Sequence, residues 1–175
     1  MATVETITRA AEHALVEGEV VSLDSVARRV GLTKAGVVHH FPTKRALMIA
    51  VVDRVVDRWL GEFRTRAGDT GDAGERVRVY LEDAFTGPID ASDLALLADV
   101  KLRDALCERW VSRLDDEWFR LGEVTDPGER ARLQAVRLLA DGAWFDRGLG
   151  LIRVSGDEWE RIADVARELL AGSRR

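Results

Sequence analysis

Apolar residues recur along this chain every three or four positions, and the alternation of a half-buried strand is sustained nowhere. The clearest run is "KRALMIAVVDRVVDRWLGEF". In it Leu47, Met48, Val51, Val52, Val55, Val56, Trp59, Leu60 and Phe63 follow the i, i+3/i+4 rule without a gap, which predicts a long amphipathic helix. Ahead of it the punctuation predicts three shorter helices. The first spans about 3–17, with Ala11 and Leu15 inward and Gly18 as its stop. Ser22 stands as an N-cap before "LDSVARRV", which Gly31 ends; Thr33 caps "KAGVVHHF", which Pro42 closes; Thr43 caps the long helix. A breaker-rich loop follows at 68–74, and further helices are predicted near 75–86, 92–102, 104–121, 128–147 and 156–171. The expected fold is all-α with about nine helices: a small N-terminal module of three helices, 1–50, and a larger helical domain, 51–175.

Composition narrows the class. With 175 residues, 46% apolar and 33% charged, the chain is ordinary for a globular protein and too apolar for disorder. No apolar run approaches the roughly 20 residues a membrane span needs, and no secretory pattern opens the chain. The expected location is therefore the cytoplasm, with no membrane partner. The single Cys107 excludes an internal disulfide and a thiolate metal cluster within one chain. The net charge of −5 argues at first against a nucleic-acid partner, yet the charge is unevenly spread. Residues 20–50 carry Arg28, Arg29, Lys34, Lys44 and Arg45 against Asp24 alone, a net of +4, which leaves −9 for the remainder. A basic module on an acidic body is the implied organisation.

Within that module, 22–41 has the spacing of two short helices joined by a glycine turn, the minimal device for placing a helix in the major groove. Val26, Val30, Leu32 and Val37 supply a miniature core, and Ala27 lets the second helix approach. Lys34, Ala35, Gly36, Val38 and His39 are left outward. Small residues and a lysine at a helix N-terminus suit close approach to base edges and phosphates. The adjacent His39 and His40 point about 100° apart on a helix and are poorly placed to chelate one ion; His13 is on another helix, and no His-Glu-x-x-His spacing exists. No metal site, catalytic residue or cofactor is expected. Asp115, Asp116 and Glu117 are consecutive, radiate around their helix and read as a solvated face rather than a catalytic carboxylate pair.

The stretch "SLDSVARRVGLTKAGVVHHFPTKRAL" resembles the DNA-binding signature of the tetracycline-repressor-like (TetR) family of bacterial regulators, including the Phe-Pro-Thr-Lys bridge into the fourth helix. The resemblance covers roughly 3–60. It implies that Thr33 and Lys34 contact phosphate and base edges, that Ala35 and Gly36 lie close to the bases, and that His39 and His40 stand near the sugar-phosphate backbone. Lys44, helped by Thr43, would bind phosphate at the start of the fourth helix, and Ser22 is counted with this set. Val38 departs from the pattern, a tyrosine being common there.

For the larger domain the resemblance implies an effector pocket. Tyr80, Cys107, Trp110, Leu114, Trp118, Asp141, Trp144 and Phe145 are its candidate lining, against the plainer reading that these aromatics are core. The helix near 104–121 carries an inward stripe of Cys107, Trp110, Val111, Leu114, Trp118 and Leu121. Asp141, one turn after Arg137, is either half of an intrahelical ion pair or a polar anchor for a ligand. The helix at 128–147 is apolar on two faces, Leu133, Val136, Ala140, Ala143 and Trp144 on one, Leu138, Gly142, Phe145 and Leu149 on the other. The last helix is similarly broad, so a homodimer through these two helices is expected. The expected function is a ligand-responsive transcriptional regulator, a repressor that binds a palindromic operator as a homodimer and is released by a small, largely hydrophobic effector. The alternatives are a dimeric scaffold or architectural DNA-binding protein without an effector and, further off, an all-helical enzyme.

Overall fold

A computed structural model describes residues 3–68, 71–96 and 99–172. Among the described residues there is no strand, and nine α-helices follow in order. They are α1 (Val4–Val16), α2 (Leu23–Arg29), α3 (Lys34–His40), α4 (Lys44–Ala67), α5 (Ala73–Thr86), α6 (Ala91–Ala95), α7 (Arg103–Leu114), α8 (Pro127–Leu149) and α9 (Gly156–Ala171). None of the described helices is long and apolar enough to cross a membrane.

The chain packs as two units: Met1–Trp59 with Asp90–Arg113, and Leu60–Ile89 with Leu114–Arg175. The first unit holds α1 to α3, the leading part of α4, α6 and nearly all of α7. Its core is built from the periodic positions, with Ile7, Val37, Leu47, Val51, Val52, Val55 and Val56 fully enclosed. Through this apolar layer runs a polar chain. Glu12 of α1 accepts from Arg54 (2.6 Å) and Arg58 (2.7 Å) of α4; Arg58 also donates to Asp93 of α6 at 2.7 Å, and the Trp59 indole donates to Asp93 at 3.0 Å. Asp93 is buried, so its negative charge depends on these donors. Burial outweighs them and lifts its carboxyl to about 6.

The second unit is built on α5 and α8, with α9 against both. Val77, Leu81 and Ala84 of α5 and Leu133, Val136 and Ala140 of α8 are enclosed. Phe63 packs between Tyr80 and Trp118, with ring centroids 5.9 and 5.2 Å away.

Two boundaries differ from the periodicity. The helix expected at 92–102 ends at Ala95, with Leu96 in a turn; 97–98 lie outside the described residues, and the chain turns again through 100–102. The Asp99 carboxylate and carbonyl accept the N–H groups that open α7, from Lys101 (3.1 Å), Leu102 (3.0 Å) and Arg103 (2.8 Å), so a new helix starts where continuation was expected. The helix expected at 104–121 gives way at 115 to a π turn, Asp115–Phe119, then to Arg120 at φ 47° and a 3₁₀ turn, Leu121–Glu123. This widened turn buries the adjacent Trp118 and Phe119 together. The Trp118 indole donates to the Arg76 carbonyl (3.0 Å) and the Arg76 guanidinium returns a bond to that of Phe119 (3.1 Å). The inward stripe is accordingly broken: Leu114, Trp118 and Leu121 are buried, Cys107 and Trp110 half-buried, and Val111 exposed.

Candidate nucleic-acid interface

The local sequence explains the geometry of α2 and α3. Ser22 and Ser25 form a reciprocal capping box, each side chain bonded to the other residue's backbone N–H (3.0 and 2.9 Å). The Ser22 hydroxyl is thus engaged at the helix end. Gly31 adopts φ 68°, a conformation that favours glycine, and lets Leu32 N–H close on the Ala27 carbonyl at 2.9 Å. Thr33 caps α3 through Gly36 N–H (3.1 Å) and keeps its own hydroxyl proton for another acceptor. Val37 and Phe41 anchor α3 inward. Thr33, Lys34, Ala35, Val38, His39 and His40 are exposed and Gly36 is half-exposed. His39 and His40 meet edge to face, 5.4 Å between ring centres, and both are exposed. Thr43, capping α4 through Ala46 N–H (3.0 Å), and Lys44 stand at the start of the next helix.

Carboxylates hold three of the five cations of the basic segment. Lys34 pairs with Asp24 (2.9 Å), Lys44 with Asp99 (2.6 Å), and Arg29 with Glu17 and with Glu19 (3.1 Å). The hydrogen bond from Arg29 keeps Glu17 below its ordinary value, and that from Lys44 does the same for Asp99. Arg28 and Arg45 are exposed. Sequence reasoning missed Asp99 and the carboxylates before residue 20 because it summed charge along a window, whereas the helices fold acids from outside the window onto it.

Residues 7–51 match the model for bacterial regulatory proteins of the tetR family, and residues 74–171 match the tetracyclin repressor-like C-terminal domain. The chain belongs to the TetR family. It is a transcriptional regulator with a DNA-binding N-terminal domain, and the family's members are regulators rather than enzymes. Among solved structures, a TetR/AcrR-family transcriptional regulator from Thermobifida fusca is 26% identical over 98% of both chains, with a TM-score of 0.56. A TetR-family transcriptional regulator from Rhodococcus sp., 18% identical over 96% of both chains with a TM-score of 0.60, shares the fold. Comparison with curated proteins gives no match.

In this TetR-family chain the candidate pocket residues are divided between the two units. Cys107 and Trp110 belong to the first, where the Trp110 ring meets Trp59 edge to face at 5.2 Å. Tyr80, Leu114, Trp118, Asp141, Trp144 and Phe145 belong to the second. Tyr80, Leu114, Trp118 and Trp144 are buried there, and Phe145 lies edge-on to Trp144 with 37% of its surface exposed. The Tyr80 hydroxyl donates to Asp141 (2.5 Å), and Tyr80 also packs edge-on to Phe119. Burial raises the Tyr80 phenol far above its usual value, aided by Asp141, and raises the Asp141 carboxyl as well. Asp141 is thus held from α5. Arg137 is instead ion-paired to Asp115, with its guanidinium 4.1 Å over the Phe119 ring. Asp115 is thus ion-paired while its side chain stays 47% exposed, and Asp116 and Glu117 are exposed. The second unit also carries an open groove of about 650 Å³ lined by Asp115, Arg120, Leu121, Pro127, Arg130 and Arg137 among others, none of them in the expected lining.

Proposed function

We propose that this regulator is a ligand-responsive repressor that binds a palindromic operator as a homodimer and leaves it when a small, largely hydrophobic effector binds. Residues 1–50 are its DNA-binding domain, with 22–41 as the motif, and 51–175 its effector-binding and dimerisation domain. One observation carries the DNA reading. The N-terminal end of α3 leaves Thr33, Lys34 and Ala35 exposed and Gly36 half-exposed, and Thr43 and Lys44 stand at the start of α4. Lys34 and Lys44 supply charge for phosphates, Thr33 keeps a hydroxyl proton to donate, and Ala35 with Gly36 clears space for base edges. His39 and His40, further along α3 and exposed, are assigned to the sugar-phosphate backbone.

The homodimer reading rests on the outer apolar face of the last two helices. Leu138 (62%) and Leu149 (56%) of α8 and Val165 (62%) of α9 are exposed in the single chain. Exposed apolar side chains repeated along two neighbouring helices mark a surface that another protein covers, and a second copy of this chain offers a matching one. Two recognition helices related by a two-fold axis then read two half-sites. An effector works only through differential affinity, by binding the dimer more tightly in the arrangement that does not fit the operator. Tyr80, Leu114, Trp118, Asp141, Trp144 and Phe145, all of the second unit, remain its proposed contacts.

The test is Lys34→Ala. Lys34 is exposed and its pair with Asp24 is a surface pair, so the variant is expected to melt with the parent. In a gel shift at moderate salt it should bind the operator about 5- to 50-fold more weakly, as loss of one phosphate or base contact implies. Equal binding by variant and parent contradicts the assignment.

A further inference from the structure

We propose that Asp99 competes with the DNA backbone for Lys44 and so sets operator affinity from a point in the chain outside the helix-turn-helix. The inference rests on the reading that Lys44 meets phosphate. The Lys44 Nζ donates to the Asp99 Oδ2 at 2.6 Å across 55 residues of sequence. The two side chains are 39% and 26% exposed, so the pair lies at the surface without being fully solvated. Asp99 is also held on its other side. Its Oδ1 accepts Lys101 N–H (3.1 Å), and its carbonyl accepts the first amides of α7. A carboxylate fixed at both oxygens presents to the ammonium the acceptors that a phosphate would, with no loop ordering at the moment of contact.

The stretch that carries Asp99 is tied to the rest of the first unit. Four residues before it, Ala95 ends α6, whose Asp93 is gripped by Arg58 and by the Trp59 indole. Arg58 in turn holds Glu12 of α1. Asp99 opens α7, whose Arg109 and Arg113 pair with Asp53 and Asp57 of α4, so a displacement of that helix moves the counter-charge on Lys44. Drawing Asp99 away frees the ammonium for phosphate; pressing it closer neutralises a DNA contact. Asp24 does the same for Lys34, but from within the motif and in a more exposed pair.

A four-protein comparison of full-length chains tests this: the parent, Asp99→Asn, Lys44→Gln and the double variant, titrated by fluorescence anisotropy against a duplex enriched by selection from a random pool. Asp99→Asn should tighten binding about 2- to 5-fold at low salt, the range a surface pair supports. The gain should shrink as salt rises and screens the pair. Lys44→Gln should weaken binding, and Asp99→Asn should add nothing in its background. An equal gain in both backgrounds makes Asp99 a general negative charge near DNA and overturns the competition. No gain from Asp99→Asn, with Lys44→Gln still weakened, overturns it as well. If Lys44→Gln binds like the parent, the phosphate role of Lys44 itself fails and the competition falls with it. Asp99→Ser, which keeps an oxygen for Lys101 N–H without the charge, repeats the comparison if the asparagine variant melts early.

Discussion

Gly36 is a residue that its own fold does not require. It sits in the first turn of α3, its φ is not positive, and a Cβ there would meet Thr33 Oγ1 at 3.5 Å and the Leu32 side chain at 3.6 Å, which are ordinary contacts. Glycine within a helix costs about 0.5–1 kcal/mol relative to alanine. Gly36→Ala is therefore expected to raise stability by about that amount in urea denaturation, while lowering DNA affinity if the missing side chain exists to let bases approach. A variant that is more stable and binds DNA as before would remove close approach as the reason for the glycine. Asp93 bears on pH instead. Its folded carboxyl lies at about 6 against an ordinary 3.8, with burial as the largest cause. A raised carboxyl contributes its full stability below about pH 4, where both folded and unfolded chains are protonated there, and loses it as pH rises towards 6. The loss is on the order of 2–3 kcal/mol. Asp93→Asn should flatten the stability profile across that window, and parallel profiles for parent and variant would show that Asp93 does not titrate there. The surface of α3 was legible in the sequence because caps, glycine turn and outward residues all lie within twenty positions of one another. Asp99 and Asp93 were not, since each acts on a partner far away in the chain and no local pattern points across that gap.

At the scale of elements, periodicity and caps place nearly every helix. Thr3, Ser22, Thr33, Asp126 and Ser155 all cap through a side-chain oxygen. What the pattern does not reveal are the two departures before and after α7, because hydrogen bonds outside the apolar periodicity cause each. Asp99 opens a helix by capping amides, and Arg76 and Trp118 bond across to one another's neighbourhood and stabilise a π turn that a helical wheel cannot display. The division of the chain is subtler still. A boundary near 50 follows the end of the motif, whereas packing assigns Asp90–Arg113 to the N-terminal residues through contacts such as Arg109 with Asp53 (2.7 Å) and Arg113 with Asp57 (2.8 Å). The two-faced character of α8 was legible, and it yields a prediction. Leu138→Glu places a charge on the outer face without disturbing the inner one, and glutamate is a good helix former. By two-fold symmetry the change appears twice in a dimer, and burying each leucine is worth about 1.5–3 kcal/mol, so dimerisation should weaken by two orders of magnitude or more. Sedimentation at micromolar concentration should then show a dimer for the parent and a monomer for the variant; a parent that sediments as a monomer would refute the interface.

For the whole molecule, the charge distribution decides how DNA is met. A chain with net charge −5 binds DNA only if its cations are gathered and its acids face elsewhere, and the segment from 20 to 50 gathers five of them. The fold modifies that picture, because Glu17, Glu19 and Asp99 are brought back onto the basic face to join Asp24. Binding is therefore expected to depend on exchange of carboxylates for phosphates as well as on release of counterions, and to be modest on random sequence. Specific recognition then has to come from the exposed end of α3, which the proposed homodimer would present twice. The measurement that addresses this most directly is selection of duplexes from a random pool by the purified full-length protein, followed by titration of the enriched duplex and a scrambled copy at physiological salt. The expected result is a palindrome whose half-sites are about one helical turn apart or a multiple of it, bound about 10³-fold or more tightly than the scramble. Failure to enrich any sequence, or equal affinity for the two duplexes, would contradict the account.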